Sequence, residues 1–260
     1  MNHLFVSDAH IGAFSERMNR SIEENLIHLI HYCREHNFHI HILGDLFDYW
    51  MEYPGHRPEM GEKLLQTISE FSREIAPVTY IFGNHDNWTN GYFRELGIHT
   101  AFDFHELKVK GTNFFLHHGD GLSDPAFQLP RPWFHRLLRS KWFTKLYQTI
   151  YSPEAGLHLM KTFSAFSREE IVFEPERLNI WSKNFLRNSK FDVVISGHDH
   201  IPRVETFEHG TYINLGAFYK HHTVATYTNG SLELVTWSAR NNELLPLNQS
   251  QISQPAHEQR

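Results

Sequence analysis

The sequence predicts an α/β fold interrupted by a helical insertion, and three observations predict it. Short apolar, β-prone runs alternate with segments of helical period. Five such runs each end in a tight cluster of Asp, Asn and His residues. Between residues 122 and 190 the apolar residues recur helically throughout, and the charge changes sign.

Residues 3–6 run into Ser7-Asp8-Ala9-His10, residues 38–43 into Gly44-Asp45-Leu46-Phe47-Asp48, and residues 78–82 into Gly83-Asn84-His85-Asp86. Between them Ile22, Leu26, Leu29 and Ile30, then Leu64, Leu65, Ile68 and Phe71, recur three to four residues apart, the stripe of a helix lying on a sheet. Residues 114–116 precede His117-His118-Gly119-Asp120, and residues 193–196 precede Gly197-His198-Asp199-His200. Alternation of this kind builds layers, and in such sheets the loops at the strand ends converge on one crevice. The five clusters are therefore expected to be neighbours in space.

The insertion holds eleven Lys/Arg against six Asp/Glu, near +5, while the remainder of the chain is near −11. Phe134, Leu137, Leu138 and Trp142, then Phe143, Leu146, Tyr147 and Ile150, then Leu157, Met160 and Ser164 mark its helices. Residues 211–215, 223–227 and 232–237 are expected as strands of a second sheet, with Asn229-Gly230 as a hairpin turn. The organisation is thus a core of residues 1–121 and 191–240, a helical cap of residues 122–190, and a flexible polar tail of residues 241–260.

Composition narrows the function. With 260 residues, 40% hydrophobic, the chain can bury a full catalytic scaffold. Its one cysteine, Cys33, excludes an intramolecular disulfide and a thiolate zinc cluster, so any metal must be held by His, Asp, Glu or Asn. A formal charge of −6 argues against nucleic acid as partner. No basic leader with an apolar run opens the sequence, and no stretch approaches the roughly 20 apolar residues of a membrane span, so a cytoplasmic address is expected.

The clusters point to a dinuclear metal site. Two divalent ions about 3.5–4 Å apart can clamp a phosphoryl group and deprotonate a bridging water. Such ions take carboxylate, imidazole and amide ligands. Asp8 and His10, two apart on one extended segment, point the same way; Asp45 has two oxygens with which to bridge; Asn84 offers a neutral oxygen; His118, His198 and His200 complete the set.

In their order and spacing, about 35 to 80 residues apart, the five clusters resemble the signature of calcineurin-like metallophosphoesterases across nearly the whole chain. The resemblance implies a four-layer α-β-β-α sandwich with an inserted helical cap. It also implies Asp8, His10, Asp45 and His200 on one metal, and Asp45, Asn84, His118 and His198 on the other, with Mn favoured although Fe, Co and Zn suit the same donors. In register it favours His118 over His117, and it makes Asp48 and Asp120 supports for histidines or loop amides.

A finer likeness is to UDP-2,3-diacylglucosamine pyrophosphatases of the LpxH type, carried by Gly44-Asp45-Leu46-Phe47-Asp48-Tyr49-Trp50, His118-Gly119-Asp120-Gly121-Leu122, Gly197-His198-Asp199-His200 with Pro202, and Tyr212-Ile213-Asn214-Leu215-Gly216. One departure stands out: the best-known branch has Arg-Asp after the motif Asn, where this chain has His85-Asp86. The likeness implies attack by a metal-activated hydroxide on UDP-2,3-diacylglucosamine, releasing UMP and the acylated sugar 1-phosphate for lipid A biosynthesis. Asn84, His85 and Asp86 are the implied catalytic residues, His85 giving a proton or hydrogen bond and Asp86 orienting its ring. Asn84, His85, Asp124, Lys141, Lys145, Lys161, Arg168 and His198 are the candidates for binding substrate. Cap aromatics such as Trp133, Phe134 and Trp142 are candidates to rest on the anionic face of the inner membrane. Another nucleotide or phosphoester is the alternative substrate, since the superfamily core is shared. A non-catalytic scaffold would have lost ligands, and all seven positions are intact.

Overall fold

A computed structural model of the chain describes residues 2–170 and 175–247, with the side chains of 165–170 and 175 left aside. Its elements in chain order are β1 (Asn2–Val6), α1 (Glu16–Glu35), β2 (Phe38–Ile42), α2 (Glu62–Glu74), β3 (Thr79–Ile81), α3 (Tyr92–Glu95), β4 (His99–Ala101), β5 (Phe104–Val109) and β6 (Thr112–His117). Then come α4 (Trp133–Leu138), α5 (Lys141–Ile150), α6 (Pro153–Glu170), α7 (Pro175–Arg187), β7 (Val193–Ser196), β8 (Arg203–Phe207), β9 (Gly210–Asn214), α8 (Phe218–His221), β10 (Thr223–Thr228), β11 (Ser231–Ser238) and β12 (Glu243–Pro246).

Two sheets form, in the orders β12-β11-β10-β1-β2-β3-β4 and β5-β6-β7-β9-β8. Alternation along each strand builds the layers, because successive side chains face opposite sides of a sheet. Leu4, Val6, Ile40 and Ile42 face the α1 and α2 stripes of Ile22, Leu26, Leu29, Leu64, Leu65 and Ile68. Phe5, Leu43, Ile81, Phe114, Leu116, Ile195 and Ile213 fill the space between the sheets. On the far side Phe115, Val194 and Tyr212 pack against Leu178, Trp181 and Leu186 of α7. The helix α7, expected as part of the cap, therefore supplies the fourth layer of the α-β-β-α sandwich.

Two further expectations change. β10 and β11 lie in the first sheet rather than the second, because β10 takes the free edge of β1, pairing His3 with Tyr227 and Phe5 with Ala225. Their hairpin turns at Asn229 and Gly230, both at positive φ (54° and 89°), as a tight primed turn requires. Within the segment expected as a flexible tail, β12 pairs with β11, setting Leu244 opposite Trp237, since Leu244 and Leu245 are apolar enough to cover the sheet edge. Residues 248–260 of that tail lie outside the described residues.

Of the cap, α5 and α6 are pinned to the core loops by a satellite cluster in which Met51, Tyr53 and Trp88 meet Tyr147, with Phe143, Leu157 and Met160 around them. Among the described residues, no helix is long and apolar enough to cross a membrane.

Candidate metal centre

β1, β2 and β3 run parallel, as do β6 and β7, so the loops after these five strands open on the same edge of the sandwich. The backbones that carry the clusters are zippered directly: Asp8 N–H donates to Gly44 O (3.1 Å), His10 N–H to Asp45 O (3.0 Å) and Gly197 N–H to His118 O (2.8 Å). Asp8, His10, Asp45, His198 and His200 all sit at positive φ, between 47° and 72°. Such conformations are unfavourable for non-glycine residues, and they persist because the crowded surroundings leave no alternative.

The side chains converge. Nε2 of His10 lies 3.1 Å from Nε2 of His200. Nε2 of His200 lies 3.2 Å from Asp8 Oδ1, and Nε2 of His118 lies 3.1 Å from Asp45 Oδ2. Asn84 Oδ1 also lies 3.1 Å from Nε2 of His118. The His198 ring stands edge-on to that of His118, 5.1 Å between centroids, and its backbone N–H donates to Asp8 Oδ2 at 3.0 Å. All seven expected ligand positions thus meet in one place. His85 joins them: a ring nitrogen lies within 4.8 Å of donor atoms of both His10 and Asp45.

These residues fit a pair of divalent cations. His10 Nδ1 faces Asp48 Oδ1 at 3.1 Å, and His118 Nδ1 faces the carbonyl of Leu43 at 2.8 Å. Both acceptors fix the Nδ1–H tautomer and turn Nε2 inward as a donor. Asp8 Oδ1 is buried, 3.2 Å from the His200 nitrogen and 3.7 Å from that of His10. Burial alone would lower His10 and His118, yet the carboxylates push both up to about 10: Asp48, Asp8 and Asp45 act on His10, and chiefly Asp45 on His118. Burial would raise Asp8 and Asp45, but their histidine neighbours hold both well below the carboxylate range. This is a pocket of negative charge that requires cations, protons in their absence.

The surrounding acids divide their work differently from expectation. Asp86 does not orient the His85 ring: its carboxylate accepts from Tyr80 Oη (2.5 Å), Leu46 N (2.9 Å) and Gly83 N (2.8 Å), so it ties two loops together. The ring of His85 is held instead by the carbonyl of Asp48, 2.8 Å from Nδ1. Among the described residues Asp120 is hydrogen-bonded to neither a histidine nor a loop amide, and it reaches His118 by charge alone. It receives Arg131 Nε (3.0 Å) and Arg139 Nε (3.1 Å) from the cap segment. His117 points the opposite way along β6, into the core against Trp181.

A cavity of about 100 Å³ opens beside the cluster, with Asn84 and His85 on one side and Phe134, Leu138, Met160 and Phe163 of the cap on the other. Of the substrate-binding candidates, Asn84 and His85 line it. Lys161 stands near its rim, its Nζ 5.9 Å above the ring of Tyr49. Lys141 and Lys145 are exposed on α5 and absent from the lining, because that helix turns Phe143 and Tyr147 inward. Asp124 caps a short 3-10 turn, accepting from Ala126 N at 2.9 Å, and is exposed. The side chain of Arg168 lies outside the described residues. Sequence reading missed His135, Arg139 and Ser164, which also line the cavity. For Ser164 a signal exists: it is the polar member of the stripe Leu157, Met160, Ser164.

The chain is 28% identical over 218 residues to a UDP-2,3-diacylglucosamine hydrolase of Porphyromonas gingivalis, covering 76% of this chain and 82% of that protein. To the protein of the same name from Proteus mirabilis it is 25% identical over 244 residues, covering 90% and 94%. The sequence profile described as calcineurin-like phosphoesterase matches residues 1–202, so the convergence of Asp8, His10, Asp45, Asn84, His118, His198 and His200 has its explanation in descent: the chain belongs to the calcineurin-like phosphoesterase family.

Proposed function

We propose that the chain hydrolyses the diphosphate of UDP-2,3-diacylglucosamine, giving UMP and 2,3-diacylglucosamine 1-phosphate, a step of lipid A biosynthesis. The observation that carries this reading is the apolar cap wall facing Asn84 and His85 across the cavity beside the donor cluster. A substrate that needs both walls has a diphosphate and hydrocarbon chains, as the substrate named by the relatives does.

In this reading Asp8, His10, Asp45 and His200 hold one ion and Asp45, Asn84, His118 and His198 the other, with Mn2+ as the ion in both. When bound, the ions supply Lewis acidity to the phosphoryl oxygens and lower the pKa of water. The protein's own groups do the rest. Cap residues Phe134, Met160 and Phe163 take the acyl chains and exclude bulk water; the Asn84 amide N–H donates to the phosphates, and the His85 ring stands beside them. Burial lowers the His85 ring despite the pull of Asp45 and Asp48, so near neutral pH it is uncharged, with Nδ1–H on the Asp48 carbonyl and Nε2 bare. A ring in that state accepts a hydrogen bond rather than giving a proton. The leaving group, a sugar phosphate, departs as an anion and needs no proton.

The cap also carries the membrane contact in this reading. Trp133 (70%), Trp142 (63%) and Ile150 (62%) are exposed to solvent, with Lys141 and Lys145 exposed on the same helix as the latter two. Aromatic residues mixed with lysines suit the anionic cytoplasmic face of the inner membrane, where the lipid substrate resides. Release of UMP from the acylated sugar nucleotide, compared with UDP-N-acetylglucosamine and bis(p-nitrophenyl) phosphate, tests the function. A kcat/KM at least tenfold higher for the acylated substrate is expected. Equal or faster turnover of the generic diester would assign the site to another phosphoester.

A further inference from the structure

Ser164 is a cap residue with a core address. It lies in α6, one turn beyond Met160 on the inward stripe, and its side chain is buried. A hydroxyl in an apolar stripe costs stability unless it is hydrogen-bonded, and helix-to-core packing at this point already has Leu157 and Met160. Its neighbours belong to the site. Oγ lies 2.8 Å from Asp48 Oδ2, 3.1 Å from the Asp48 carbonyl and 3.1 Å from Nδ1 of His85. The single hydroxyl proton goes to the carboxylate, the shorter and charged acceptor. The lone pairs of Oγ then face the Nδ1–H of His85, which the Asp48 carbonyl also receives at 2.8 Å. The other oxygen of the same carboxylate holds His10. Among the described residues, Ser164 is thus the point at which a cap helix is hydrogen-bonded to both Asp48 and His85.

We infer that Ser164 is a positioning residue that fixes the His85 ring from the cap, so that the catalytic site is complete only while α6 is seated on the core. The inference rests on the proposed function for its phosphoester chemistry. It adds a reason for binding energy along the cap to appear in turnover: a substrate that holds α6 down also holds His85 in register.

The experiment uses the full chain loaded with Mn2+, with wild type, Ser164→Ala, His85→Ala and the double variant assayed on the acylated sugar nucleotide and on bis(p-nitrophenyl) phosphate. Ser164→Ala is expected to lower kcat about tenfold with KM within about twofold, at unchanged metal content and with a melting temperature lowered by a few degrees at most. In the His85→Ala background the same change is expected to cost no more than about twofold, since its target is gone. Proton NMR of the metal-free protein gives a readout independent of activity: the His85 Nδ1 proton, protected from exchange in wild type, becomes exchange-broadened in Ser164→Ala. A full tenfold loss persisting on top of His85→Ala, an unchanged kcat, or an Nδ1 proton that is unprotected in wild type or equally protected in the variant would each overturn the inference. Wild type active only on the diester would remove the proposed substrate and leave the Ser164 result standing.

Discussion

Nε2 of His10 and Nε2 of His200 lie 3.1 Å apart, although 190 residues separate them in the chain. Two imidazole nitrogens meet this way when they share a cation or when one carries a proton for the other. His10 is pushed up to about 10 and so is His118, so the metal-free protein holds both as imidazolium at pH 8. Metal ligation needs the neutral ring. Loading with Mn2+ at pH 8 is therefore expected to release about two protons per chain, read from calorimetry in buffers of different ionisation enthalpy. The apparent affinity should climb with pH and level off near 10. Release of no protons would mean that the two histidines are not ligands.

Asp45 and His85 should differ sharply as mutation sites. Asp45 touches both halves of the cluster, with Oδ2 at 3.1 Å from His118 and 3.8 Å from His10, and its Oδ1 accepts the His85 backbone N–H at 2.9 Å. Asp45→Ala is expected to lower kcat about 10³-fold or more, the range for losing a main electrostatic support. His85→Ala, which removes a neutral ring facing a good leaving group, is expected to cost about 10²-fold or less. Steady-state kinetics at matched metal occupancy checks this, and equal losses would restore His85 as an essential proton donor.

Why is the metal cluster legible in the sequence when the cap is not? Asp8, Asp45, Asn84, His118 and His198 each lie just past a short apolar run, and parallel strands deliver their C-terminal loops to one edge. The helical stripe of Ile22, Leu26 and Leu29 likewise names its buried face, and that face packs on β1 and β2. Period says nothing, however, about which sheet a strand joins. β10 carries the same alternation wherever it pairs, and only the vacancy beside β1 decides. Nor does period reveal which partner a helix covers: Trp181 of α7 reads like Trp142 of α5, yet the first is buried on a sheet and the second exposed. Arg139 is invisible for a further reason, since its partners Asp120, Phe82 O and Phe102 O are brought to it by three separate segments.

Arg139 anchors the cap by charge. Its guanidinium reaches Asp120 Oδ2 at 2.9–3.1 Å and the carbonyls of Phe82 and Phe102 at 3.1 Å, while Arg131 holds the same carboxylate from the other side. Burial would raise Asp120, but Arg139 and Arg131 outweigh it and keep the carboxyl well below its usual range. Arg139→Met leaves Arg131 as the one arginine on Asp120 and is expected to cost about 2–4 kcal/mol, measured by urea unfolding. The sign with pH comes from the depressed value: the contribution of Asp120 is present above roughly pH 4 and is lost as pH falls. The variant should therefore lose less stability than wild type on acidification carried below about pH 3, where the depressed carboxyl of Asp120 takes up its proton in the folded protein. A parallel decline would show that Asp120 is not the group concerned.

Close approach of backbone to ligand shapes the site as much as the ligands do. At Gly83 an added Cβ would stand 2.0 Å from Asp45 Oδ1 and 2.8 Å from Asp45 N, and at Gly197 it would stand 2.1 Å from Asp8 Oδ2. No real contact is that short, so an alanine must push the carboxylate away. Asp45 has little freedom to yield, because the His85 N–H holds Oδ1 and the zippered His10 N–H holds its carbonyl. Gly83→Ala is thus expected to displace the Asp45 carboxylate and lower metal content after dialysis by half or more, with far-UV circular dichroism preserved. Gly111 supplies the contrast: it turns at positive φ (93°), as Gly83 does not, yet an added Cβ there meets no atom within 4 Å. Gly111→Ala should cost only about 1 kcal/mol of backbone strain and keep the full complement of metal. Should Gly83→Ala retain wild-type metal content and affinity, the glycine would be serving the turn alone, and the crowding around Asp45 would have no part in binding.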